Sequence, residues 1–65
     1  MKATYEPKTD TFVLELKQGK VFESDEDKPG VILDYDAEGN LLGLEILDAS
    51  KRMEDARSMQ FQLAG

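Results

Sequence analysis

Apolar and polar residues alternate with a period of two over most of this chain, the signature of half-buried β-strands. Ala3 and Tyr5 fall on one side, and Lys2, Thr4 and Glu6 on the other, which predicts a short first strand over Lys2–Glu6. Pro7 lacks a ladder donor and Pro7-Lys8-Thr9-Asp10 has turn chemistry, so a hairpin follows. From Thr11 to Lys17, Phe12, Leu14 and Leu16 share one face while Val13 and Glu15 share the other, predicting a second strand. Gln18-Gly19-Lys20 reads as a turn, and Val21 to about Ser24 as a third short strand. The charged stretch Asp25-Glu26-Asp27-Lys28 then reads as a loop running into Pro29-Gly30, the strongest breaker pair in the sequence.

Gly30 to Ser50 is the most informative stretch. Val31–Asp36 and Leu41–Leu47 read as strands four and five, joined by Ala37-Glu38-Gly39-Asn40, a common hairpin length. Pairing Tyr35 with Leu42, Leu33 with Leu44 and Val31 with Ile46 places all six side chains on one face. A slip of one residue destroys that face, so burial selects this register. The second face then carries Asp34, Asp36, Gly43 and Glu45, together with Ile32, Leu41 and Leu47, which need a cover. The nearest candidate is a helix capped by Asp48 or Ser50 and running through Ala49–Glu54, with Met53 as its anchor and Ala56 at helical spacing. Beyond Ser58, Met59, Phe61 and Leu63 alternate strictly with Gln60 and Gln62, which favours a sixth strand, although the same residues also extend the helical stripe. The expected fold is a single α+β domain over residues 1–65: a small antiparallel β-meander of five or six strands with one short helix near the C-terminus. Its expected core is Tyr5, Phe12, Leu14, Leu16, Val31, Leu33, Tyr35, Leu42, Leu44 and Ile46.

Composition narrows the function. The 65 residues are 40% hydrophobic and 34% charged, which suits one foldable domain. There is no cysteine and no histidine, so disulfides, the usual proton shuttle, histidine-based triads and the common zinc sites are excluded. Fourteen acidic residues against eight basic ones give a net charge of −6, which disfavours binding to nucleic acid or anionic lipid. No apolar run approaches the ~18–20 residues of a membrane span, and the N-terminus lacks the apolar core of a signal peptide, so a cytoplasmic location is expected. A chain this short buries only roughly 60% of the surface its unfolded form exposes. Without disulfide or metal its core supplies about 3–5 kcal/mol, for which self-association is a standard remedy.

Four patterns bear on chemistry. Asp34, Asp36, Glu38, Gly39 and Glu45 nearly match a calcium-loop spacing. The flanks are strands rather than helices, however, and Glu45 falls opposite Ile32, about 7 Å along the strand from Asp34. Asp34, Asp36 and Glu45 share a sheet face, as paired acid–base carboxylates do, but so small a sheet offers little cleft to desolvate a substrate. Glu23-Ser24-Asp25-Glu26-Asp27 reads as a solvated acidic run, or as a surface for a basic partner. Lys51, Arg52 and Arg57 are too few for a nucleic-acid patch and complement a helix C-terminus. The expected function is therefore a non-enzymatic interaction module without a cofactor. It self-associates as a homodimer or other homo-oligomer, with Ile32, Leu41, Leu47 and Met53 as candidate interface residues. The alternatives are a metal-binding or carboxylate-based hydrolytic protein using residues 34–45, and an antitoxin-like or adaptor protein binding a basic partner.

Three blocks also carry a resemblance. Lys2-x-Thr4-Tyr5-Glu6-Pro7, Gly30-Val31-Ile32-Leu33-Asp34-Tyr35-Asp36 and Gly43-Leu44-Glu45-Ile46-Leu47-Asp48-Ala49-Ser50 resemble the small bacterial family known as domain of unknown function 2283, or YuzE-like. The third block is the most specific, with Leu44 a mild variant. The resemblance covers essentially the whole chain; Ala3 replaces a bulkier aliphatic residue, and the Met59–Gly65 tail occurs in some members. The resemblance implies a small β-rich domain with a helix near the C-terminus. It implies no catalytic residues, and by association a partner role such as the antitoxin-like half of a two-gene system.

Overall fold

The computed structural model describes every residue from Met1 to Gly65. Five strands form one sheet: β1 (Lys2–Glu6), β2 (Thr11–Glu15), β3 (Glu23–Lys28), β4 (Val31–Tyr35) and β5 (Leu41–Ile46). A single helical turn, α1 (Ala49–Arg52), follows them. All neighbouring strands run antiparallel, as the alternation demanded. The strand order is β1-β2-β5-β4-β3, so the sheet is not a consecutive meander. Residues 16–22 carry the chain from β2 past the ends of β5 and β4 to the far edge. Strands β2 to β5 thereby form a Greek key, in which the long connection returns a strand beside the end of a three-strand meander. The distance crossed is three strand spacings, about 14 Å, well within reach of seven residues.

The register defines two faces. On one, Tyr5, Phe12, Ile46 and Val31 form a row across β1, β2, β5 and β4, and Ala3, Leu14, Leu44 and Leu33 form the next. On the other, Thr4, Val13, Glu45 and Ile32 form a row beside Lys2, Glu15, Gly43, Asp34 and Ser24. The expected pairs Val31–Ile46 and Leu33–Leu44 are present, but Tyr35 lies opposite Leu41 rather than Leu42. Leu42 is a bulge residue, and its main-chain carbonyl accepts from both the Leu16 and Lys17 amides, at 2.8 and 3.0 Å. The crossing loop meets the bulge here, and Gly19 packs directly against the Leu42 side chain.

Three expectations are corrected at the elements. The third strand is Glu23–Lys28, not Val21–Ser24, so the acidic run is an edge strand with both faces exposed rather than a loop. It closes onto β4 through Pro29-Gly30, where Gly30 takes φ 80° in a tight turn. The sixth strand is absent, and Met59, Phe61 and Leu63 stand 51%, 74% and 87% exposed. The helix ends at Arg52, because Met53 is extended.

Neither Asp48 nor Ser50 caps α1 with its side chain. Asp48 takes φ 53° and makes no capping bond, and Ser50 lies inside the helix. The cap comes from the β1–β2 turn. Asp10, also left-handed at φ 53°, accepts the Ala49 amide on its carbonyl at 2.9 Å. Its carboxylate takes the Ser50 amide at 2.9 Å, the Ser50 hydroxyl at 2.6 Å and the Tyr5 hydroxyl at 2.7 Å. This seats the fully buried Ala49 against Phe12 and Ala56, with Tyr5, Leu14, Ile46 and Met53 around them. The core is correspondingly small. Phe12, Leu42, Ala49 and Ala56 are its buried apolar residues. Of the expected core, Leu16 is exposed, and Tyr5, Leu14, Val31, Leu33, Tyr35, Leu44 and Ile46 are only half-buried. No helix is long and apolar enough to cross a membrane.

Candidate functional site

The carboxylate face holds the most distinctive chemistry. Asp34 on β4 and Glu45 on β5 are diagonal neighbours, because Asp34 pairs with Gly43 and Glu45 with Ile32. Ser24 on β3 lies opposite Asp34 and donates its hydroxyl to Oδ1 at 2.6 Å. A hydrogen bond to the Asp34 carboxyl pushes Glu45 above the ordinary glutamate value, and partial burial and the Asp34 charge add to the shift. Gly43 presents no side chain beside this pair. A shallow groove of about 370 Å3 opens there, walled by Val13, Glu15, Val21, Asp34 and Leu42. The bulge brings Leu42 to this groove, whereas the register read from the sequence placed it on the opposite face.

The raised Glu45 makes a prediction with a defined sign. A group whose folded pKa lies above its unfolded one costs the folded state nothing below the unfolded value, near pH 4.3, and costs it increasingly as pH rises through the folded value. Glu45→Gln is therefore expected to raise the thermal midpoint at pH 7 and to leave it little changed below pH ~4. A lower midpoint at pH 7 than the parent's would show that the ionised pair is stabilising.

The calcium-loop residues do not converge. Asp36 closes the β4–β5 turn, where its Oδ1 accepts the Glu38 amide at 3.0 Å and the Asn40 amide at 2.8 Å. Its Oδ2 accepts the Asn40 side-chain amide at 3.0 Å. The Asn40 side-chain amide, then its backbone amide, hold the Asp36 carboxyl below the usual range; burial opposes them, and the Glu38 amide adds to the lowering. Gly39 at φ 85° completes the turn. Asp34 and Glu45 face each other instead, and no group of three or more candidate ligands is assembled anywhere in the chain.

The four candidate interface residues are not brought into one patch. Ile32 is half-buried opposite Glu45 on the carboxylate face, and Leu41 is half-buried opposite Tyr35 on the apolar face. Leu47, 37% exposed, donates its amide to the Gly30 carbonyl at 2.8 Å at the other end of β5. Met53 packs on the Phe12–Ala49–Ala56 cluster. Of the basic residues, Arg52 lays its guanidinium over Gly30, a structural placement.

Sequence reasoning missed Asp10. It is the organising polar residue of the fold, and its partners lie five and 40 residues away. Its one local signal is turn chemistry. The Asp48-Ala49-Ser50 part of the third block thereby acquires a structural meaning: Asp48 turns the chain, Ala49 fills the core and Ser50 clamps Asp10.

No curated protein and no solved structure matches the chain. The family model described as Protein of unknown function (DUF2283) matches residues 2–50, which spans all five strands and the first two residues of α1. The match covers the blocks that build the sheet, its carboxylate pair and the Asp10–Ser50 clamp, and this chain belongs to the DUF2283 family.

Proposed function

We propose that this protein is a non-enzymatic interaction module that acts as a self-associated assembly, in the simplest case a homodimer. The observation that carries this reading is its surface area. The chain exposes 5241 Å2, whereas a compact monomer of 7.3 kDa exposes about 4,200 Å2. Its radius of gyration is 12.5 Å, against about 10.7 Å expected for a domain of this length. The excess of about 1,000 Å2 is close to the ~800 Å2 that each partner contributes to a standard interface. Part of it lies on the apolar sheet face, where α1 covers the Phe12 end and leaves Val31, Leu33 and Leu44 half-exposed. A non-enzymatic role is supported by the chemistry of the groove. Asp34 on its wall already accepts the Ser24 hydroxyl, and the chain has no imidazole or thiol.

Sedimentation equilibrium on the full chain is expected to give about twice the 7.3 kDa chain mass at tens of micromolar. A single species at the chain mass up to several hundred micromolar overturns the reading.

A further inference from the structure

We infer that the C-terminal segment Met59–Leu63 is the connecting strand of that assembly: each copy adds it to the free edge of β1 in a second copy. The inference rests on the self-associating reading and specifies its surface.

The segment has the pattern of a half-buried strand in a place where it is not buried. Met59, Phe61 and Leu63 alternate with two glutamines, and nothing from Ser58 to Gly65 is charged or proline. The three apolar side chains are 51%, 74% and 87% exposed. From Met59 onward no backbone amide or carbonyl is bonded within the chain, and the last such bond is Ser58 to Asp55 at 3.5 Å. Unpaired backbone with strand alternation is the donor half of strand addition.

The sheet has two edges, and they are not equivalent. The β3 edge carries Glu23, Asp25, Glu26 and Asp27 and is broken by a register irregularity between Asp25 and Lys28. Charge and bulges are how edge strands repel further pairing. The β1 edge is regular, with five uninterrupted pairs to β2 and a hydrogen-bonding side that faces no strand. It is the acceptor half.

In its own copy the segment pairs with neither edge of the sheet. Ala56, Arg57, Ser58 and Met59 line, with Ala3, Tyr5 and Phe12, an open pocket of about 240 Å3. The segment thus starts in the layer above the sheet, about 10 Å out of its plane. A second copy related by a twofold axis accepts the strand and returns its own, a closed isologous arrangement.

The test compares the full chain, a chain ending at Ser58 and the full-length variant Phe61→Asp by sedimentation equilibrium and far-ultraviolet circular dichroism. The full chain is expected to dimerise. The shortened chain is expected to be monomeric with its sheet spectrum retained, and Phe61→Asp to weaken association at least tenfold. Phe61 is 74% exposed, so that variant tests the inference even if the shortened chain does not fold. Association of Phe61→Asp as tight as the parent's overturns the tail assignment while leaving self-association standing. A monomeric full chain overturns both.

Discussion

Gly43→Ala is expected to unfold most of the protein. A Cβ at this position lies 2.5 Å from the Leu14 carbonyl oxygen, 3.4 Å from the Glu15 Cα and 3.5 Å from the Leu14 carbonyl carbon. All three atoms are backbone, so no side chain can rotate aside, and β2 itself has to move away from β5. That displacement strains the Glu15–Gly43 and Leu14–Leu44 pairs, which join the β1–β2 hairpin to the rest of the sheet. Overpacking a well-fitted site costs about 1–3 kcal/mol, and more where backbone must shift. Against a core contribution of about 3–5 kcal/mol, a loss at the upper end leaves little folded population. Gly39→Ala is the natural comparison. Gly39 has φ 85° with nothing within 4 Å, so its variant bears only the left-handed backbone penalty of about 1–2 kcal/mol. Urea unfolding followed by circular dichroism is expected to rank the parent above Gly39→Ala, and Gly39→Ala above Gly43→Ala. A Gly43→Ala midpoint equal to the parent's would mean that the two strands separate at no cost.

The parts of the fold legible in the sequence are those whose signal is local. Strands β1, β2, β4 and β5 alternate because one of their faces packs and the other does not, and their spans were readable to within two residues. Strand β3 carries no such signal. An outer strand exposed on both faces is held by its ladder to β4 alone, so Glu23–Lys28 is almost wholly charged and reads as a loop. The strand order was hidden for a related reason. Hairpin chemistry specifies neighbours joined by tight turns, whereas the β2–β5 pairing is made by residues about 30 positions apart. It depends on the crossing of residues 16–22, which packs on the bulge at Leu42.

The candidate site divides in the same way. That Asp34 and Glu45 share a face follows from period-two alternation and a correct register at the base of the hairpin. That Asp36 does not join them follows from its turn, where nearby amides hold both of its oxygens. The spacing of a calcium loop was present, and the geometry that gives such spacing its meaning was not. In the tail, the alternation of Met59, Phe61 and Leu63 identified strand-forming residues, but a strand also needs an edge to pair with, and within this chain the segment pairs with none.

Removing the Asp10 carboxylate is the second change expected to have a large effect, because one side chain fastens three distant pieces of the molecule. It accepts from Tyr5 on β1 and twice from Ser50 in α1, while its own carbonyl accepts from Ala49. Bonds of this kind, to an ionised acceptor, are the stronger class. In Asp10→Ala the carboxylate bonds vanish together, and alanine tolerates the left-handed φ of 53° less well than aspartate. Ala49 then loses its seat on Phe12, and the residues that cover this end of the apolar face lift away as a unit. The expected result is loss of amide-exchange protection at Ala49 and Ser50 and a less cooperative unfolding transition at lower denaturant. The effect also has a pH signature. The Ser50 hydroxyl first, then the Tyr5 hydroxyl, hold the Asp10 carboxyl below its ordinary range. A depressed folded pKa contributes stability that is present above the unfolded value, near pH 3.9, and is lost as pH falls through the folded value. The parent should therefore weaken below pH ~4 with a component that Asp10→Ala lacks. Asp10→Asn keeps an acceptor oxygen and tolerance of the left-handed backbone but cannot ionise. It should fall between the two in stability near neutral pH and share the flatter acid response of Asp10→Ala. Protection at Ser50 that survives in Asp10→Ala would show that the packing of Ala49 alone holds α1 to the sheet.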